Sequence, residues 1–178
     1  MLAALADARA GLGDRTYETA ALALRTFLVE GLMADGHLVR AREAGRVAAE
    51  AGIEDYACVA LGLWRWHEVH GDPRDRTLAL DLLHQAWRRF HGGRGWRQAE
   101  QGLLPGMGTT AALADNPLPS PSAIILDLSR RSGVPELEAQ AAKAIAAALP
   151  TVVEQPVGFA GHARLFLGFP ADPRTGVE

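Results

Sequence analysis

The sequence predicts an all-α fold, a partial (α/α) toroid of about three and a half helical hairpins. Short glycine turns recur at intervals of about 60 residues, which is typical of stacked helix pairs. Between the turns, segments that are apolar on nearly every side alternate with segments that carry one apolar stripe. The chain of 178 residues, 48% hydrophobic and 22% charged, has the composition of a globular protein. We therefore expect one α/α-hairpin domain over residues 1–170 and a tail over residues 171–178.

Three glycine turns divide the chain into hairpins. Each combines a glycine that ends one helix with the start signal of the next helix. The turns are Leu12-Gly13-Asp14, His70-Gly71-Asp72-Pro73 and Ser132-Gly133-Val134-Pro135. Their glycines lie 58 and 62 positions apart, so the repeat is nearly regular.

The segments before the second and third turns predict inner helices. Residues 57–64 and 123–128 are apolar nearly all round, which is typical of helices buried on every side. Cys58 lies within the first of these segments, where a cysteine behaves as a small hydrophobic residue. Residues 158–167 predict one more inner helix, which has no outer partner.

The segments after the turns predict outer helices, since each has one apolar stripe with the i, i+3, i+4, i+7 spacing. The stripes comprise Tyr17, Ala20, Ala21, Leu24, Phe27, Leu28 and Gly31, then Leu78, Leu82, Leu83, Ala86, Trp87 and Phe90, then Leu137, Ala141, Ile145 and Ala148. Asp75 is among the residues of the second outer helix that are expected to face solvent. No strand pattern competes with the helices. The long connections, residues 34–52 and 91–119, fall where the inner helices begin, and loops of this length are usually functional.

Charge and cysteine content exclude several classes of protein. A net charge of -3 supplies no basic field for a nucleic acid or for an anionic membrane surface. The single cysteine cannot form an intramolecular disulfide, so we expect a cytoplasmic protein. The longest apolar runs fall well short of the roughly 18 residues that a membrane span needs. His67 and His70 do not form the spacing of a zinc site, and no motif predicts a cofactor.

Four motifs occur in an order that identifies a family resemblance. They are Ile53-Glu54-Asp55-Tyr56-Ala57, His70-Gly71-Asp72-Pro73, Phe90-His91-Gly92-Gly93-Arg94-Gly95-Trp96 and Asp115-Asn116-Pro117-Leu118-Pro119-Ser120. From about Gly13 to Leu167 the chain resembles the C-terminal part of the spermatogenesis-associated, thioredoxin-domain-containing proteins. In that family a thioredoxin-like domain precedes an (α/α) six-hairpin barrel similar to N-acylglucosamine 2-epimerases and six-hairpin glycosidases.

The resemblance implies roughly the last half of such a ring. The thioredoxin-like domain and the first hairpins have no counterpart in this sequence, so the ring would not close alone. The family's Pro-Ser-Gly-Asn turn is replaced here by Pro119-Ser120-Pro121-Ser122, and its aromatic-plus-acid pair by Phe90-His91. These departures remove an amide and an acid from the loops where the family pattern has them.

Three carboxylates are the candidate catalytic residues. Glu54 and Asp55 stand where a long loop meets an inner helix, and side chains there can serve as acid or base in a central pocket. Asp115 would supply another carboxylate across the mouth of the ring, as glycoside hydrolysis requires. The alternative is that acidic residues in a first turn cap the helix and complement its dipole. The sequence Asp-Asn-Pro likewise forms a good turn.

Four residues are candidates for substrate binding: Tyr56, Trp96, Asn116 and Ser120. Trp96, in a glycine-rich loop, is the tryptophan best placed to stack on a sugar ring, although packing of the loop itself explains it equally well. Ser120 is explained adequately if it or Ser122 is the N-cap of the next inner helix.

Two functions follow from these observations. The first is a carbohydrate-binding or carbohydrate-processing pocket, with a small carbohydrate-like ligand. The second is a non-catalytic helical scaffold that associates with itself or with a complementary chain, because half a ring leaves the flanks of its terminal inner helices, including residues 1–10, without neighbours. Neither a nucleic acid nor a membrane is an expected partner.

Overall fold

The computed structural model describes residues 1–93, 95–101, 114–115 and 118–168. Within these ranges the chain is mostly helical, with two small antiparallel sheets. The α-helices are α1 (Leu2–Leu12), α2 (Arg15–Thr26), α3 (Ile53–His70), α4 (Pro73–Phe90), α5 (Pro121–Arg130), α6 (Pro135–Glu154) and α7 (Ala160–Phe166). A π-helical turn (Phe27–Gly31) continues α2, and a 3₁₀ turn (Pro156–Phe159) precedes α7. The strands are β1 (Met33–Ala34), β2 (His37–Glu43), β3 (Arg46–Glu50), β4 (His91–Gly92) and β5 (Gly95–Trp96).

The three predicted glycine turns are confirmed. Gly13, Gly71 and Gly133 have φ angles of 71°, 87° and 70°, the left-handed conformation that glycine adopts most readily. Asp14 and Asp72 then cap the following helices, since each side chain accepts a hydrogen bond from the backbone N–H two residues on. The ends of α1, α3 and α5 therefore follow from local sequence.

Helices α1, α3, α5 and α7 are successive neighbours in one row, and α3 lies between α1 and α5. Helices α2, α4 and α6 each pack against the row helix that precedes them in sequence. The largest fully buried side chains, among them Trp66, Tyr56 and Phe90, fill the centre of this arrangement. The burial expected of the second and third stripes is confirmed for most of their residues, including Leu82, Leu83, Leu137 and Ala141.

The predicted burial of the inner helices is confirmed for α5 and for most of α3. Every residue of α5 is buried or half-buried. In the predicted inner segment of α3, residues 57–64, every residue except Cys58 is buried or half-buried. The expectation that Cys58 is a core residue is therefore wrong.

Three residues of the outer helices were placed on the wrong side, and one of them, Ala20 of the first stripe, is exposed. Asp75 is 1% exposed, and Arg25 of α2 donates to its Oδ1 over 2.7 Å. The ion pair lets a carboxylate occupy a buried position that the apolar stripe did not predict. Phe27 is exposed, because the π-helical turn that begins there breaks the 3.6-residue period of α2.

Strands occupy part of both long connections, so the expectation of a chain without strands does not hold there. β1, β2 and β3 form an antiparallel meander, and β4 pairs with β5. The two turns of the meander are Asp35-Gly36 and Ala44-Gly45, and all four residues have positive φ. This is the conformation of the two-residue turns that match the twist of a β-hairpin. The predicted boundary between residues 170 and 171 lies outside the described residues.

Candidate functional site

The candidate site lies at the end of the helices where α3 and α5 begin, here called the loop end; the opposite end, with the three glycine turns, is the turn end. The guanidinium of Arg131, just after α5, lies 3.7 Å from the carboxylate of Glu68, near the end of α3. The two helices therefore run in the same direction. Asp55, in the first turn of α3, and Asp115, before α5, are consequently at the same end of the molecule.

Asp55 joins the start of α3 to strand β2. Its Oδ2 accepts a hydrogen bond from the backbone N–H of Gly52 over 2.8 Å, which closes a capping box. The same oxygen lies 2.8 Å from Nη2 of Arg40, and this bond raises the pKa of the Arg40 guanidinium. Asp55 thus has the geometry of a helix cap that also holds β2.

Tyr56 is fully buried behind this first turn. Its hydroxyl accepts hydrogen bonds from the backbone N–H of Leu38 (3.3 Å) and from Nη1 of Arg89 (2.6 Å). It donates to Oε1 of Gln85 over 3.2 Å. Burial raises the pKa of the Tyr56 hydroxyl. These contacts tie β2 to α4 and leave no part of Tyr56 open to a ligand.

Glu54 is the candidate carboxylate that faces solvent. It borders a cleft of about 360 Å³ between the π-helical turn, β2 and α3. The cleft is lined by Leu28, Leu32, Leu38, Val39, Arg40, Glu54, Asp55, Cys58 and Val59. Desolvation, and then the charge of Glu54, raise the pKa of the Cys58 thiol, which opposes formation of the reactive thiolate.

Asp115 belongs to a second cluster, between α5 and α7. Its Oδ1 accepts from the backbone N–H of Ser120 over 2.6 Å, and its Oδ2 accepts from Gly161 over 2.7 Å. A Cβ at Gly161 would lie 2.8 Å from Oδ1 of Asp115, so the glycine permits this close approach. Asp115 therefore fixes the loop before α5 to the start of α7.

Ser120 completes this cluster from within the core. It is fully buried, and its hydroxyl accepts from the N–H of Ala123 over 3.4 Å as the N-cap of α5. The same hydroxyl lies 3.0 Å from that of Ser122, which lies 3.3 Å from Nε2 of His162. Nδ1 of His162 is buried without a hydrogen-bond partner among the described residues. Burial lowers the pKa of His162, and the nearby Asp115 carboxylate offsets part of that effect.

Trp96 packs inside the loop end. It is 4% exposed, and its ring lies 4.6 Å from that of Trp87 and 4.8 Å from that of His91, measured between centroids. Burial lowers the pKa of His91. The ring that could have stacked on a sugar is thus buried against Trp87 and His91.

The loop end therefore holds two groups of candidate residues. Glu54 and Asp55 border the cleft, whereas Asp115 and Ser120 serve the junction of α5 with α7, and Asn116 lies outside the described residues. The sequence interpretation missed Arg40 and His162. The Asp35-Gly36 turn signal, which predicts a hairpin, was the available signal for the strand that carries Arg40, whereas nothing local distinguishes His162.

The turn end carries a network of ion pairs. Arg65 of α3 lies 2.6 Å from Asp7 of α1, and Glu68 of α3 lies 3.7 Å from Arg131 beyond α5. Arg131 also lies 3.2 Å from the buried Asp127. The network joins the first three helices of the row and keeps their order fixed at this end.

Neither a scan against models of protein families nor a search of the curated proteins found a match to this chain. The described residues include no helix that is long and apolar enough to cross a membrane. They also include no group of three His, Cys, Asp or Glu side chains with the geometry of a metal site. The family resemblance therefore remains a prediction that rests on its four motifs.

Proposed function

We propose that this chain is a non-catalytic helical scaffold, the C-terminal part of an (α/α) toroid of the thioredoxin-domain-containing family, which associates with further copies through the flanks of its helix row. The observation that carries the proposal is the location of the exposed apolar side chains. Among the described residues, eight of ten such side chains lie on the first and last hairpins. They are Met1, Leu12, Leu22 and Phe27 at one flank, and Leu149, Val153, Val157 and Leu167 at the other.

The C-terminal flank is the more continuous of the two. Leu149 and Val153 are one helical turn apart on α6, and Val157 follows in the 3₁₀ turn just beyond the end of that helix. Val153 is 68% exposed and Val157 is 91% exposed. Scattered exposed apolar residues are normal on a protein surface, but a contiguous set is typical of an interface. Helices α3 and α4, in the middle of the chain, carry no exposed large apolar side chain among their residues.

The role of the carboxylates also favours a scaffold. Asp55 and Asp115 each accept backbone N–H groups at a helix start, where they stabilise the fold. Carboxylates whose oxygens accept backbone N–H groups in this way hold the fold together, whereas a general acid and a general base need oxygens that face the two sides of one substrate bond. The described part of the loop end thus supplies Glu54 as the one candidate carboxylate without a cap.

Light scattering behind size exclusion tests the association. The wild-type chain should have a mass above the 19.0 kDa of one copy. Val153→Glu with Val157→Glu places charges in the C-terminal flank, so the mass should fall. The matched control is Ala147→Glu with Thr151→Glu, two exposed positions of α6 that lie on a different side of the helix from Leu149 and Val153. A wild-type mass of 19.0 kDa at all concentrations, or equal masses for both variants and wild type, would overturn the proposal.

A second candidate function, the binding of a small carbohydrate, is favoured by the cleft beside Glu54. The cleft offers a carboxylate that faces solvent over a floor of leucine and valine side chains, and sugars present hydroxyls and apolar faces together. Isothermal titration calorimetry with glucose and with N-acetylglucosamine tests this function. Glu54→Gln should weaken binding at least tenfold, whereas Glu43→Gln, an exposed residue of β2, should leave it unchanged. No heat from either sugar would exclude the function for these ligands.

A further inference from the structure

The meander of the loop end projects a strand whose outer edge is open. β1 pairs only with the first two residues of β2, and the rest of β2 except Arg40 pairs with β3. Of the five residues of β3, four are exposed and Ala49 is half-buried. In the described part of the chain, no residue outside the sheet hydrogen-bonds with the backbone of β3. An open strand edge of this kind is a template for pairing with another strand.

The register of the meander leaves one residue of that edge unpaired. Ala49 lies opposite Ala41, and Val47 lies opposite Arg42, so Ala48 has no partner on β2. A bulge of this kind leaves the extra residue outside the ladder. The methyl group of Ala48 also presents little bulk to an approaching chain.

We propose that two copies of the chain pair antiparallel through β3, about a two-fold axis at Ala48. In this register Arg46 lies opposite the partner's Glu50, and Glu50 lies opposite the partner's Arg46. Val47 lies opposite the partner's Ala49 in the same way. The strand is thus complementary to itself in charge and size, as a two-fold interface requires. Opposite charges that face each other across an antiparallel pair are favourable, and like charges are unfavourable.

The strand edge is separate from the flanks of the helix row. β3 leads into the first turn of α3, whereas the flanks belong to the first and last hairpins. The inference therefore goes beyond the proposed scaffold function, and either surface can fail without the other. Variants of β3 and variants of Val153 and Val157 separate the two.

Charge exchange tests the pairing. Glu50→Arg puts an arginine at both ends of β3, and Arg46→Glu puts a glutamate at both ends. Each variant alone should dimerise at least tenfold more weakly than wild type, because like charges then face each other. An equimolar mixture of the two variants should regain the dimer as a mixed pair, which a variant that had simply unfolded could not do. Arg42→Glu, on β2, is the matched control and should leave the wild-type mass unchanged.

A cross-link provides an independent measurement. In a Cys58→Ser background, Ala48→Cys places two thiols on the axis, within reach of a disulfide in a closely spaced antiparallel pair. Mild oxidation should convert most of this variant to a covalent dimer, whereas Arg42→Cys in the same background should form no covalent dimer. Charge variants that keep the wild-type mass, or an Ala48→Cys variant that cross-links no faster than its control, would overturn the pairing. If only the Val153 and Val157 substitutions dissociate the chain, the flanks hold the assembly and β3 does not.

Discussion

The two ends of the helix row differ in how they are held together. At the turn end, glycines in the left-handed conformation and aspartate caps end and start helices within a few residues of sequence. At the loop end, Asp115 and Tyr56 accept hydrogen bonds from backbone groups on other elements, and Asp55 adds a contact with Arg40 of β2 to its local cap at Gly52. The comparison teaches that one residue type, aspartate near the start of a helix, acts as a local cap alone at the turn end and also makes tertiary contacts at the loop end. The consequences of removing these residues should differ accordingly.

The largest effect is expected where a charge is buried. Arg25→Ala leaves the carboxylate of Asp75 without its partner in a site that is 1% exposed. Removal of one member of a buried ion pair should lower the unfolding free energy by about 3 kcal/mol. We expect a loss at the lower end for such pairs because the Arg25 side chain is partly exposed. Urea unfolding followed by circular dichroism measures this loss. Asp81→Ala, an exposed position on the same helix, should change the unfolding free energy by less than about 0.5 kcal/mol.

The next largest losses of stability are expected at Asp115 and Asp55, the two candidate catalytic carboxylates that accept backbone hydrogen bonds. Asp115→Ala removes two charge-assisted hydrogen bonds that join α5 to α7, and should cost about 2 kcal/mol. Asp55→Ala removes one capping bond and a partly exposed contact with Arg40, and should cost about 1 kcal/mol. Asp55→Asn and Asp115→Asn measure how much of each loss depends on charge. If neither alanine variant is destabilised, the capping role is wrong and the catalytic interpretation gains support.

The pH dependence of α7 follows from His162. Burial lowers its pKa in the folded chain, so the unfolded chain binds more protons once the pH falls below about 6.5. The stability that depends on neutral His162 is therefore complete above that pH and is lost as the pH falls through it. One proton sets the slope at no more than about 1.4 kcal/mol per pH unit.

Unfolding free energies measured from pH 7.5 down to pH 5.5 check this slope, together with hydrogen exchange of the α7 amides. His162→Gln should flatten the profile, whereas His70→Gln, an exposed histidine at the end of α3, should leave it steep. An equal slope in wild type and His162→Gln would assign the acid sensitivity to other groups.

The sequence predicted the turn end well because its signals are local. A glycine with positive φ followed by an aspartate cap is readable from four residues, and all three turns were located from such short glycine motifs. The apolar stripes of α4 and α6 were readable for the same reason, since periodicity reports burial on a regular helix. Asp75 was misplaced because its burial depends on Arg25, fifty positions away in sequence.

The loop end was harder to predict because its contacts are tertiary. Asp35-Gly36 is a strong local hairpin signal, and weighing it would have revealed β1 and β2. Ala44-Gly45 is a weaker signal, since alanine rarely adopts positive φ. That Tyr56 would be buried by Leu38, Gln85 and Arg89 depends on three elements meeting, which no window of sequence contains. The capping alternative for Asp55 was available from the sequence, and the structure supplies the partner, Gly52.

The smallest changes in stability are expected in two turns, one at the loop end with Ala44 and one at the turn end with Gly71. Ala44 has a φ of 47°, where its Cβ is crowded by the backbone, so Ala44→Gly should stabilise the chain by about 0.5 kcal/mol after the entropic cost of glycine. Gly71 has a φ of 87° with open space around it, so Gly71→Ala should destabilise the chain by about 1 kcal/mol through backbone strain alone. Thermal unfolding should show a higher melting temperature for Ala44→Gly and a lower one for Gly71→Ala. Gly93→Ala, at a glycine without positive φ, is the reference for a glycine replaced without backbone strain. A destabilised Ala44→Gly would mean that the meander draws its order from contacts of the Ala44 methyl group, and its turn would then be held, like the rest of the loop end, by tertiary contacts.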